Sequence, residues 1–153
     1  MKYLFLHIPK TGGVSLNHIM IPQYERDEIY VVDNWRVQAS VKELLKLPKE
    51  ILKKLKMISG HFRYGMHEHF QEKCQYITIL RDPTSRIFSL FFYILNNESH
   101  RQHAKLSEMV KKHGNKKALK QFVFKMQTKA CDNAMIRQIA GIKEVHVRGV
   151  GRS

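Results

Sequence analysis

The sequence predicts an α/β domain of three layers, with helices on both faces of a mainly parallel central sheet. Three observations predict it. The chain opens with an apolar run, Tyr3 to Ile8, that passes through a glycine-bearing loop into a helical pattern. Short apolar runs of strand length then recur between stretches of helical spacing. Two of those runs end in polar residues, at the strand-to-loop junctions where open parallel sheets hold their ligands. With 153 residues, 43% of them hydrophobic, the expectation is one domain over 1–153, with a core that needs neither disulfides nor metal.

The elements follow in order. Tyr3 to Ile8 reads as a buried strand stopped by Pro9, and Val14 to Met20 as the helix after Gly12 and Gly13. Residues 28–32 suit a second strand. Residues 41–55 carry leucines and an isoleucine at helical spacing, interrupted by Pro48, with Lys42, Lys46, Lys49, Lys53 and Lys54 facing solvent. Residues 57–62 and 76–80 suit buried strands, the second running into Arg81-Asp82-Pro83 and an apolar helix from Thr84 to about Leu95. Residues 96–127, rich in Lys, His and Gln, read as surface helices broken near Gly114-Asn115. Asp132 reads as the N-cap of a last helix to Ile139, and Glu144 to Arg148 suits a strand.

Lysine and arginine outnumber aspartate and glutamate 27 to 13, a net charge of +14 that favours anionic partners without choosing among nucleotide, nucleic acid, glycan and lipid. Cys74 and Cys131 are far apart and lack zinc-finger spacing, so they read as free thiols. His67-Glu68-His69 invites a metal reading, but side chains two apart on a helix diverge and no third ligand stands at suitable spacing. The opening apolar run is too short to span a membrane and has no signal-peptide cleavage pattern.

Two motifs carry chemistry. In Pro9-Lys10-Thr11-Gly12-Gly13-Val14-Ser15 the glycines let the backbone approach an anion at a helix N-terminus, and Lys10 adds a mobile positive charge. Lys10 precedes both glycines, whereas the Walker lysine follows them and is itself followed by a magnesium-binding Ser or Thr, so a magnesium-dependent NTPase or nucleotide kinase is disfavoured. In Arg81-Asp82-Pro83-Thr84-Ser85-Arg86-Ile87-Phe88-Ser89, Arg81 at a strand's carboxyl end can fork onto phosphate oxygens, and Ser89 follows about two helical turns on. Each motif also has a plain reading: a glycine turn for the first, and for the second a helix start capped by Asp82 with Pro83 in the first turn.

Together they resemble the PAPS-dependent carbohydrate sulfotransferases of sulfotransferase family 2, which includes heparan-sulfate and uronyl 2-O-sulfotransferases. Phe5 to Leu16 is similar to that family's 5′-phosphosulfate loop, and Arg81 to Ser89 to its 3′-phosphate segment. Asp132 to Gly141 is similar to a family helix beginning Asp-Asn. The resemblance implies a P-loop-like sulfotransferase fold that binds 3′-phosphoadenylyl sulfate (PAPS) through Lys10, Thr11, Gly12, Gly13, Val14, Ser15, Arg81 and Ser89, with Arg86 in support and no metal. Ser59-Gly60-His61-Phe62 resembles the segment carrying the general base, which makes His61 and Lys10 the catalytic candidates.

An unperturbed histidine pKa of about 6.5 leaves neutral imidazole available at pH 7, while Lys10 meets charge developing toward the leaving phosphate. His61 also reads as a hydrogen-bonded histidine at a strand end. Where the 2-O-sulfotransferases have a second histidine two residues before the base, this chain has Ser59, which bears on the acceptor.

The implied reaction moves a sulfuryl group from PAPS to a carbohydrate hydroxyl, and an anionic glycan suits the charge of the 100–129 stretch, which equally suits a solvated helical face. The family continues past the last residue here into a region that closes over adenine. The fold therefore reads as incomplete, and a noncatalytic adenosine 3′,5′-bisphosphate-binding remnant stands as the alternative. A basic nucleic-acid-binding module would explain the charge but not the paired loops, so no nucleic acid is expected as partner. A chain that begins at Met1 reads as cytoplasmic, and a piece of a eukaryotic enzyme as a Golgi-lumen domain.

Overall fold

The computed structural model describes residues 1–124, 131 and 133–141. They fall into two compact units, one of Met1–Ile79 with the described residues from Met135 onward, the other within Leu80–Ala134.

The first unit is built on four parallel strands in the order β2-β3-β1-β4: β1 (Lys2–Leu6), β2 (Ile29–Val31), β3 (Met57–Gly60) and β4 (Cys74–Ile77). β1 lies between β3 and β4, with Leu4 opposite Ile58 on one side and Tyr76 on the other. A central strand of a parallel sheet is covered on both faces, which is why its Leu4-Phe5-Leu6 run is apolar throughout and buried. Each such side chain contributes about 1.5–3 kcal/mol by leaving water.

Alternation along the strands separates two layers of helix. Leu4, Leu6 and Ile58 pack into one core with Leu44 of α2 (Val37–Leu45), Leu52 of α3 (Lys49–Lys54) and Leu55 beyond it. Ser59, next along β3 and so on the other face, donates its hydroxyl to Asn17 of α1 (Gly13–Met20) at 2.7 Å. The three-layer reading is met. The helical pattern of 41–55 divides at Pro48, whose extended backbone opens α3. α2 begins four residues earlier than its apolar pattern, where the Asp33 carboxylate accepts from the amides of Trp35 and Arg36.

Lys2, 1% exposed, is buried at the start of β1. Its ammonium donates to the carbonyls of Leu52 and Leu55 at the end of α3 and lies 5.2 Å from the Phe70 ring centroid. A cation at a helix C-terminus satisfies carbonyls that the helix itself leaves open.

The described residues of the second unit are mainly helical. Asp82 caps α4 (Pro83–Leu95), its carboxylate accepting from the Ser85 amide at 2.7 Å, and Pro83 takes the first position, where a missing N–H costs nothing. Leu90, Phe91 and Ile94 of α4 pack against Leu106, Ala118 and Phe122 of α5 (His103–Phe124). The break expected near Gly114 is present inside α5, where Gly114 adopts φ 72°, ψ 162°. The last helix among the described residues, α6 (Ala134–Ile139), belongs from Met135 to the first unit, where Gln138 donates to the carbonyls of His7 and Phe62. Asp132, Lys129 and the strand expected at Glu144 to Arg148 lie outside the described residues. No helix among the described residues is long and apolar enough to cross a membrane. Neither Cys74 nor Cys131 is in a disulfide.

Candidate functional site

β1 ends at Leu6, and the chain reverses into α1 through Pro9 to Gly12. Thr11, buried, donates its hydroxyl to the Ile8 carbonyl at 2.8 Å and closes the turn from within. Lys10 takes a left-handed backbone, φ 68°, which an L residue adopts at a cost of about 1–2 kcal/mol. Gly12 follows at φ 93°, exposed, with no atom within 4 Å of where a Cβ would stand. This open residue is the N-cap of α1, no side chain caps the helix, and its first turn carries no acidic residue. The amides of Gly13, Val14 and Ser15 are those a helix start leaves for an outside acceptor, and the exposed Gly12, Val14 and Ser15 place that turn at the surface.

Under the loop lies His7, 5% exposed, its ring stacked 5.5 Å from Phe5 and tilted 4.5 Å from His61. A Cβ on Gly13 would come within 2.1 Å of the His7 ring, so the second glycine is required by this neighbour rather than by its own backbone angle. Burial, and secondarily the nearby His61, lowers the His7 pKa to about 4, so this ring is neutral at physiological pH.

His61 follows β3 and is half-buried. Its Nδ1 lies 2.6 Å from the His7 carbonyl oxygen, an acceptor only, so Nδ1 donates and Nε2 keeps a lone pair in the neutral ring. Burial lowers the His61 pKa, and the bond to His7 opposes part of that shift. The same His7 carbonyl accepts a second bond from Gln138 Nε2 at 3.0 Å, and that nitrogen also donates to the Phe62 carbonyl at 2.9 Å. His7 and Gln138 are among the residues of this site that sequence reasoning did not single out. Ser59, two residues before His61, is wholly buried and engaged with Asn17, tying β3 to α1.

Beside His61 opens a cleft of about 910 Å³. Its walls carry Lys42, Arg63 and His69 as basic groups, Glu68 as the acid and Tyr64 as an exposed aromatic. His67 is turned elsewhere, its Nδ1 3.1 Å from the Tyr76 hydroxyl. Among the described residues no three His, Cys, Asp or Glu side chains gather as a metal site.

The structure thus brings the loop Lys10 to Ser15 and His61 together around His7. A model described as the sulfotransferase family matches residues 1–145 of this chain. The chain belongs to the sulfotransferase family. No curated protein and no solved structure matches it.

The other two predicted residues stand on the second unit. Arg81, exposed, directly precedes the Asp82 cap of α4, and Ser89 lies half-buried about two turns into that helix. Arg86, by contrast, is only 4% exposed, and burial lowers its pKa. Asp82 and Pro83 satisfy the helix start, which accounts for those two residues without a ligand.

Proposed function

We propose that this sulfotransferase transfers a sulfuryl group from PAPS to a hydroxyl of a carbohydrate acceptor. In this reading Lys10, Thr11, Gly12, Gly13, Val14 and Ser15 hold the 5′-phosphosulfate. Arg81 and Ser89 grip the 3′-phosphate, and the acceptor lies in the cleft beside His61. The observation that carries it is the tautomer of His61 set by the His7 carbonyl, next to a helix start that no side chain caps.

His61 Nε2 takes the proton of the acceptor hydroxyl as its oxygen bonds to sulfur. Lys10 and the first-turn amides of α1 meet the charge left on phosphate oxygen when its bond to sulfur breaks. Thr11 contributes its backbone, since its hydroxyl is committed to Ile8. The basic walls of the cleft and the exposed ring of Tyr64 support an anionic glycan as acceptor, the ring offering an apolar face and Lys42 and Arg63 opposing negative charge.

Calorimetry with adenosine 3′,5′-bisphosphate, with ATP plus magnesium, and with duplex DNA at matched salt tests the nucleotide half. The bisphosphate binds best if the reading holds, and tighter binding of either competitor overturns it. Transfer from labelled PAPS to neutral and anionic oligosaccharides tests the rest. Bisphosphate binding with no transfer to any acceptor would identify the noncatalytic remnant instead.

A further inference from the structure

We propose that Gln138 is a positioning residue for His61. The inference rests on the reading of His61 as base, and it concerns a side chain from a helix 77 positions further along the chain.

The side-chain amide of Gln138 faces two carbonyl oxygens, those of His7 and Phe62. Carbonyls only accept, so the amide must present its NH2 to both, which uses its two hydrogens. One of the two carbonyls belongs to the residue that holds His61 Nδ1, and the other to the residue directly after His61. Gln138 therefore clamps both the acceptor of the imidazole bond and the backbone that carries the imidazole. The clamp is itself anchored, because the Tyr64 amide donates to the Gln138 carbonyl at 3.0 Å.

Without these bonds the partner left on the His7 carbonyl is His61 Nδ1 itself, and the ring of His61 can turn or exchange its proton between nitrogens. The loop amides, which belong to α1, keep their geometry. The consequence is a base in the wrong tautomer for part of the time, with nucleotide binding intact.

The test is Gln138→Met, close in length but unable to donate, alongside Gln138→Glu, close in shape with a charge facing the carbonyls. Nitrogen-15 spectra, with the His61 signals identified by their loss in His61→Asn, show a single Nδ1–H tautomer in the parent protein and a mixture in both variants. The kcat for transfer falls about tenfold or more, while affinity for adenosine 3′,5′-bisphosphate stays within about twofold.

An unchanged tautomer overturns the proposal. So does an equal loss of nucleotide affinity and kcat, which makes Gln138 a fold-holding residue only. If the parent protein transfers no sulfuryl group, the proposed function fails, while the nitrogen signature still decides this inference.

Discussion

His61 Nδ1 donates to the carbonyl of His7 at 2.6 Å, and that single bond determines which edge of the imidazole can accept a proton. Nε2 is left as the basic atom, and burial holds the pKa below the ordinary 6.5 despite the opposing bond. A base works in its neutral form, so activity persists through pH 6.5 and is lost only as pH falls through the lowered pKa. The acid limb of kcat/KM is therefore expected below pH 6.5. A pH–rate profile with its limb at or above that value contradicts the assignment. His61→Ala lowers transfer by about 10²–10⁴ and leaves nucleotide affinity unchanged.

The neighbouring His7 makes a separate prediction about stability. Its pKa falls from 6.5 to about 4 on folding, so the unfolded chain binds the proton first as pH drops. Stability from this group is complete above pH 6.5, declines through the window from 6.5 to about 4, and levels off below it. At 1.36 kcal/mol per pKa unit the loss is about 3 kcal/mol. His61 contributes in the same direction, so the informative quantity is the difference between proteins. Urea unfolding across that window shows a slope flatter by up to one proton in His7→Asn than in the parent, and identical slopes sink the assignment.

The two glycines of the loop respond differently to the same substitution. Gly12→Ala meets no neighbour and carries only the strain of φ 93°, about 1–2 kcal/mol. Gly13→Ala drives a methyl into the ring of His7, which is itself held between Phe5 and His61. The collision adds about 1–3 kcal/mol of overpacking and displaces His61 as well. Urea midpoints and transfer rates check this: Gly13→Ala loses both, while Gly12→Ala loses chiefly nucleotide affinity through its effect on the loop.

Much of this arrangement was legible because it is local. The run into Pro9, the glycines after it and the helix that follows are contiguous, and so are Asp82 and Pro83, whose cap and first-turn roles depend on neighbours three residues away. Pro48 and Gly114 punctuate helices by their own backbone restrictions. What stayed hidden depends on distance along the chain. Gln138 reaches His7 across 131 residues and Phe62 across 76, and a glutamine in a helical pattern carries no sign of such partners. Lys2, just before the Tyr3 to Ile8 run, has its burial explained only by the terminal carbonyls of α3, some fifty residues on. The strands end at Leu6, Gly60 and Ile77, earlier than their apolar runs: Ile8 and Phe62 are buried by packing beyond the paired ladder, whereas the buried strand expected over 76–80 is the half-exposed edge strand β4, with Leu80 beyond it 60% exposed.

Lys10 and Arg81 are expected to recognise opposite ends of one nucleotide, and ligands that differ only at the 3′ position separate them. Adenosine 3′,5′-bisphosphate and adenosine 5′-monophosphate share the 5′-phosphate, so Lys10→Ala weakens both, each by about tenfold to a hundredfold for loss of a charged hydrogen bond worth about 1.5–3 kcal/mol. Arg81→Ala weakens the bisphosphate by a similar factor and leaves the monophosphate unchanged, because only the former carries the group that the guanidinium would fork. Ser89→Ala follows Arg81 with a smaller effect, about threefold to tenfold for a neutral donor. Calorimetry of the three variants with both ligands measures this. If Arg81→Ala weakens the two nucleotides equally, Arg81 acts through general charge and the 3′-phosphate assignment is wrong. If it weakens neither, Arg81 is a surface residue at a helix start, the role its place before Asp82 already permits.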